Sequence, residues 1–206
     1  MKLTHNIGDV RRSLSDLAKS QVPFATAMAL NDTAADVRAE EEKRIATDLD
    51  RPKPFTARGF YVKRASKGAR PSAAVGIRPI QAGYLIWQVE GGTRGPKRKA
   101  VTVPVGIVRD NYGNMRRGAL AKLLARPDVF IVSAKTKKTA HLQPGIYKRF
   151  GEGGGKGRVK MEIAFEDSAT YAPERFDFHG IAMERATSVY RDHFERRLLA
   201  AVRSAK

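Results

Sequence analysis

The sequence predicts an α+β fold: a mostly antiparallel sheet packed by N-terminal helices and a long C-terminal helix, with an extended Gly-tipped β-hairpin. Three observations predict it. Apolar residues recur at helical spacing at both ends of the 206-residue chain. After Pro54 the period drops to that of strands. No internal repeat and no separating linker breaks the chain, so a single domain is expected over 1–206. Its parts are N-terminal helices over 1–50, a sheet over 55–110, a basic insertion with a hairpin over 111–168 and a C-terminal helix over 174–206.

Ile7, Val10, Leu14 and Leu17 form one stripe of a short helix, with Asn6 and Asp9 suited to its N-terminal cap. Pro23 suits the first turn of a second helix. That helix runs to about Leu49, with Phe24, Met28, Ala35, Ile45 and Leu49 expected on one side. Its middle, Glu40-Glu41-Glu42-Lys43-Arg44, is polar all round and reads as a solvated or subunit-facing stretch. Arg51-Pro52-Lys53-Pro54 must stop it.

Alternation at Phe60–Arg64 and Ala73–Ile77 predicts two strands. Tyr84–Val89 is apolar on both faces and predicts a central strand. Glu90 to Lys99 reads as a loop, Val101–Val108 as a strand, Met115–Arg126 as a short basic helix and Asp128–Ser133 as another strand. A long hairpin follows, out along Ile146–Phe150 and back along Arg158–Phe165. On the return arm Val159, Met161, Ile163 and Phe165 share one face, Arg158, Lys160 and Glu162 the other. Met183, Ala186, Val189, Phe194, Leu198 and Ala201 mark the inner face of the last helix.

The net charge of +18 is concentrated: residues 51–160 hold 25 basic and 4 acidic groups, while both ends are nearly neutral. Such a segment needs an acidic partner surface, most simply nucleic-acid phosphate. Three clusters carry the candidate surface: Arg94, Lys97, Arg98 and Lys99; Arg116 and Arg117, with Lys122 and Arg126 nearby; and Lys148, Arg149, Lys156, Arg158 and Lys160 on the hairpin. No helix-turn-helix, zinc finger or RNP pattern is present, and aromatics are not interleaved for base stacking. Contact with DNA would therefore be to backbone, without sequence preference.

Catalysis finds little footing. Glu90, Asp110, Asp128 and Glu152 are the only acids of the basic segment, and none is paired at short spacing for a nuclease metal. Pro127-Asp128 with Lys135 has Ser133 where a second acid belongs. His5, His141, His179 and His193 lack metal spacing, and Asp192-His193 point apart on a helix. Gly151–Arg158 departs from a phosphate-binding loop, since Phe150 replaces the first glycine and Gly157 follows Lys156. With no cysteine there is no disulfide, thiolate zinc site or thiol nucleophile. No catalytic residue, metal or cofactor is expected. The longest apolar run, Phe24–Leu30, is far short of a membrane span, and the N-terminus lacks a signal-peptide pattern.

Two segments carry a resemblance. Val22-Pro23-Phe24-Ala25-Thr26-Ala27-Met28-Ala29-Leu30-Asn31 resembles the start of the long helix in minor tail protein Z of lambda-like phages. Tyr84-Leu85-Ile86-Trp87-Gln88-Val89-Glu90-Gly91-Gly92-Thr93 is similar to the Tyr-x-x-x-x-Val-Glu-x-Gly-Thr signature of the tail-completion and head–tail joining family of long-tailed bacteriophages. Pro173-Glu174-Arg175-Phe176 and the last helix fill the family's C-terminal places, whereas the stretch between signature and last helix is a long insertion. The resemblance implies a virion protein of the tail or neck, assembled in the host cytoplasm. It would form a homo-oligomeric ring around the DNA path, with a hexamer favoured. Neighbours would be tail-tube, terminator or head-connector proteins, and packaged DNA through its backbone. A sequence-independent DNA- or RNA-binding protein is the alternative, and an endonuclease the third reading.

Overall fold

The computed structural model describes residues 6–8, 17–97, 99–133, 139–150, 158–172 and 175–204. The class is α+β, with antiparallel sheets and a long helix towards each end. The chain forms two compact units. The first comprises Met1–Leu49, Pro54–Leu85 and Phe176–Lys206; the second comprises Asp50–Lys53 and Ile86–Arg175.

In the first unit a π-helical turn, Leu17–Gln21, leads into α1, Val22–Asp48. Pro23 stands in the first turn of α1, where its missing N–H costs nothing. The helix ends as the sequence predicts, before Pro52, and Arg51 takes a left-handed φ of 47°. Most of the short helix expected on Ile7, Val10, Leu14 and Leu17 lies outside the described residues. Short helix α2 is Pro54–Ala57, and strands β1 (Phe60–Lys63) and β2 (Ala74–Ile77) pair antiparallel. The C-terminal helix, labelled α5 below, is Phe178–Ser204. It packs along α1, and α1 also packs on β1 and β2.

The inner face of α1 keeps Ile45 from the expected side but is otherwise a different one. Ala25, Ala27, Ala29, Ala34, Val37 and Ile45 are buried, with Phe24 and Ala35 exposed. Small residues make up much of this interior, with Val37 and Ile45 the larger side chains buried among them. Glu41, expected on a polar stretch, is fully buried. On α5, Ile181 and Ala201 are the buried residues, and Met183 is 69% exposed, contrary to its expected place on the inner stripe. Phe60, Phe176 and Phe178 meet at ring-centroid distances of 6.0 to 6.5 Å, which closes the aromatic end of this core.

The segment expected as a central strand is a helix: α3 spans Pro79–Val89, and the boundary between the units falls within it, after Leu85. Pro79 occupies the first helical position, and Gly91 with φ 69° follows the last turn. Those two signals decide the conformation, because an apolar run has no period of its own. Gln81 and Leu85, one turn apart, are buried, while Ile80 and Ile86 are exposed. Gln81 Nε2 donates to the Phe55 carbonyl at 3.1 Å, and the Tyr84 and Thr56 hydroxyls bond at 3.0 Å, tying α3 to α2.

The second unit holds β3 (Gly92–Arg94), β4 (Val101–Pro104), α4 (Ala119–Leu124), β5 (Val129–Val132), β6 (Gly145–Phe150), β7 (Arg158–Glu166) and β8 (Ala169–Tyr171). Strands β3 and β8 form one antiparallel ladder, and β4-β7-β6-β5 form a four-stranded antiparallel sheet. Val101, Val132, Ile146, Tyr147, Ile163 and Ala164 make its interior. The strand expected over Val101–Val108 stops at Pro104. The helix expected over Met115–Arg126 shrinks to six residues, because Gly118 takes a φ of 78° immediately before it.

Candidate functional site

The basic surface read from sequence is built on the β6–β7 hairpin. Its register sets Lys148 opposite Lys160, Phe150 opposite Arg158 and Arg149 opposite Val159. With side chains alternating along each strand, Lys148, Lys160 and Arg158 share one face, and Arg149 stands on the other. The expected alternation of the return arm fails at Glu162. Ile146 pairs with Ile163 and Tyr147 with Met161, so Glu162 is an extra residue in β7. Its carbonyl accepts from the Val105 and Gly106 N–H groups at 3.0 and 3.1 Å as β4 ends. The bulge moves Ile163 and Phe165 onto the face of Arg158 and Lys160, away from Val159 and Met161.

Directly opposed lysines repel. Lys148 Nζ lies 5.0 Å from the Phe150 ring centroid, and Arg149 sits 4.6 Å from that of Phe130 on the other face. Asp128 does not serve as a free acid here. Arg126 grips both of its carboxylate oxygens at 2.9 Å, and that hydrogen-bonded pair holds the Asp128 carboxyl below its ordinary range. Asp110 is held in the same way by Lys53 at 2.9 Å and by the Asn114 and Tyr112 N–H groups, again with its pKa lowered. Asp50 pairs with Arg51.

The other two clusters differ in character. Arg94 ends β3 half-buried, 6.0 Å from the Tyr171 ring, which in turn stacks on Trp87 at 6.4 Å. It is partly a packing residue. Lys97 and Lys99 are exposed, as are Arg116 and Arg117 ahead of α4. Among the described residues no ion pair engages Arg94, Lys97, Lys99, Arg116, Arg117, Lys148, Arg149, Arg158 or Lys160, and no hydrogen bond or ion pair joins the loop cations to the hairpin. Arg98, Lys156, Lys135 and the Gly151–Gly157 tip lie outside the described residues.

The sequence reading missed a second charged array, on the paired helices of the first unit. Arg197 of α5 donates to both Asp32 oxygens of α1 at 2.6 and 2.8 Å, and His193 bonds Asp36 at 3.0 Å. The Arg197 hydrogen bond dominates in lowering the Asp32 pKa. The partners are more than 150 residues apart, so no spacing rule finds them. Among the described residues no group of three or more His, Cys, Asp or Glu is placed to hold a metal ion, and no helix is long and apolar enough to cross a membrane. Comparison with protein-family models, curated proteins and solved structures found no match for this chain.

Proposed function

We propose that this chain is a non-enzymatic structural protein of a phage tail or neck, completing the tail end and joining head to tail as a homo-oligomeric ring around the DNA path. One observation carries the reading beyond the resemblance at Val22–Asn31 and Tyr84–Thr93. In the second unit Asp50, Asp110 and Asp128 are each neutralised by an adjacent cation and Glu162 is buried, and among the described residues Glu90, Glu166 and Asp167 form no ion pair with the hairpin and loop cations. A surface so arranged is satisfied by an acidic partner outside the chain. Tail-tube, terminator or head-connector proteins supply one within a virion assembled in the host cytoplasm, and a hexamer matches tail symmetry.

The test is a phage carrying Lys148→Glu with Lys160→Glu. Filled heads and unjoined tails should accumulate in lysates viewed by electron microscopy. An undiminished titre overturns the reading.

The row of Lys148, Lys160 and Arg158 on one sheet face favours a second reading, a sequence-independent nucleic-acid binder following the phosphate backbone. Metal-dependent plasmid nicking that disappears in Asp128→Ala would overturn both and point to an endonuclease.

A further inference from the structure

The first unit holds a cavity of about 410 Å³ between α1 and the β1–β2 pair, remote in sequence from the basic segment's clusters. Asn31, Arg38, Glu42, Tyr61, Arg64 and Arg78 supply its polar lining. Arg38 is held by Glu42 at 2.9 Å. Arg64 and Arg78 have no side-chain hydrogen bond or ion pair among the described residues, so two guanidinium groups bordering one cavity have no direct carboxylate partner, Glu42 being taken by Arg38.

The walls are fixed. The Asn31 amide donates to the Ala65 carbonyl at 3.0 Å and accepts from the Ala65 N–H at 2.8 Å, which pins the chain beside Arg64 to α1. The Tyr61 ring lies across Gly76 so closely that a Cβ there would come within 2.8 Å of it. Tyr61 is therefore seated where only glycine leaves room.

We infer that this groove binds the carboxylate side chains of an acidic peptide segment from a partner protein. Guanidinium forks match carboxylates two oxygens at a time. A cavity of this size takes side chains and not a nucleic-acid duplex. Glu42 in the lining also opposes a multiply charged phosphate more than a single carboxylate. The site stands independently of the tail reading, because its residues belong to the first unit and the hairpin cations to the second.

The experiment titrates the full chain, labelled at arginine side-chain nitrogen, with a short capped polyglutamate peptide. The Nε–Hε resonances of Arg64 and Arg78 should shift saturably. Arg64→Gln with Arg78→Gln should weaken binding by about ten-fold or more, while Lys148→Gln with Lys160→Gln binds like the parent. Arg64→Lys with Arg78→Lys retains the charge, loses the forks and should also weaken binding, with an unchanged melting temperature as the check on folding. The inference is overturned if neither arginine saturates, or if Lys148→Gln with Lys160→Gln loses binding as much as Arg64→Gln with Arg78→Gln does. Tighter saturation of the same arginines by a short single-stranded oligonucleotide also overturns it, in favour of nucleic acid.

Discussion

Glu41 sits inside the first unit with both carboxylate oxygens buried and, among the described residues, without a hydrogen-bond donor. Burial pushes its pKa up from 4.5 to about 8. The charges of Asp177, Glu40 and Asp48 add to the rise, and Arg44 opposes it. The folded chain thus keeps a proton that the unfolded chain releases. The benefit of that proton is complete below about pH 4.5 and is lost as pH rises to about 8. Glu41→Gln carries no such proton, so thermal melts should show it gaining on the parent steadily from pH 5 to 8. A constant difference across that range would show that Glu41 ionises freely. At the other charged site, Arg197→Lys keeps the charge facing Asp32 but loses the two-point grip. A stability loss of about 1 kcal/mol is expected in urea unfolding, since partial solvent exposure screens the pair.

At the level of elements, α3 and the bulged strand β7 carry the main lessons. Gly91 closes α3 with a left-handed φ of 69°, which a side chain strains. Gly91→Ala should cost about 1 kcal/mol in denaturant unfolding. No loss would mean that the turn after α3 has another geometry. In β7 the extra residue Glu162 reverses the faces of the strand, so Arg158 and Lys160 share a side with Ile163 near the sheet's interior. A hairpin arm is thereby charged toward its tip and apolar toward its base on the same face. The ends of α1 were legible because proline marks them locally. Its buried alanines and Glu41 were not, since helical period identifies a stripe but not which stripe another helix will cover.

For the whole molecule the division of charge is the main result. The second unit holds 20 basic and 9 acidic residues, the first 19 and 12. A chain with a net +18 attracts DNA whatever its role. If its partners are acidic proteins, isolated chain should bind duplex DNA only with a Kd of about 10⁻⁵ M or weaker near physiological salt, regardless of sequence. Sub-micromolar binding at that salt, with the slope against log salt reduced by about one per lysine on Lys148→Gln or Lys160→Gln, would favour the nucleic-acid reading.

Composition and local pattern alone determined the α+β class, the basic middle segment, the bounds of α1 and the hairpin with its cations. Each rests on residues near one another in the chain, where period, proline and glycine act directly. Tertiary structure decided the rest. It matched Arg197 to Asp32 and His193 to Asp36 across the two long helices, and it buried Glu41. It also brought Arg38, Arg64 and Arg78 to one cavity. Hydrogen bonds and burial depend on distance in space, and the fold alone sets that distance for residues far apart in sequence.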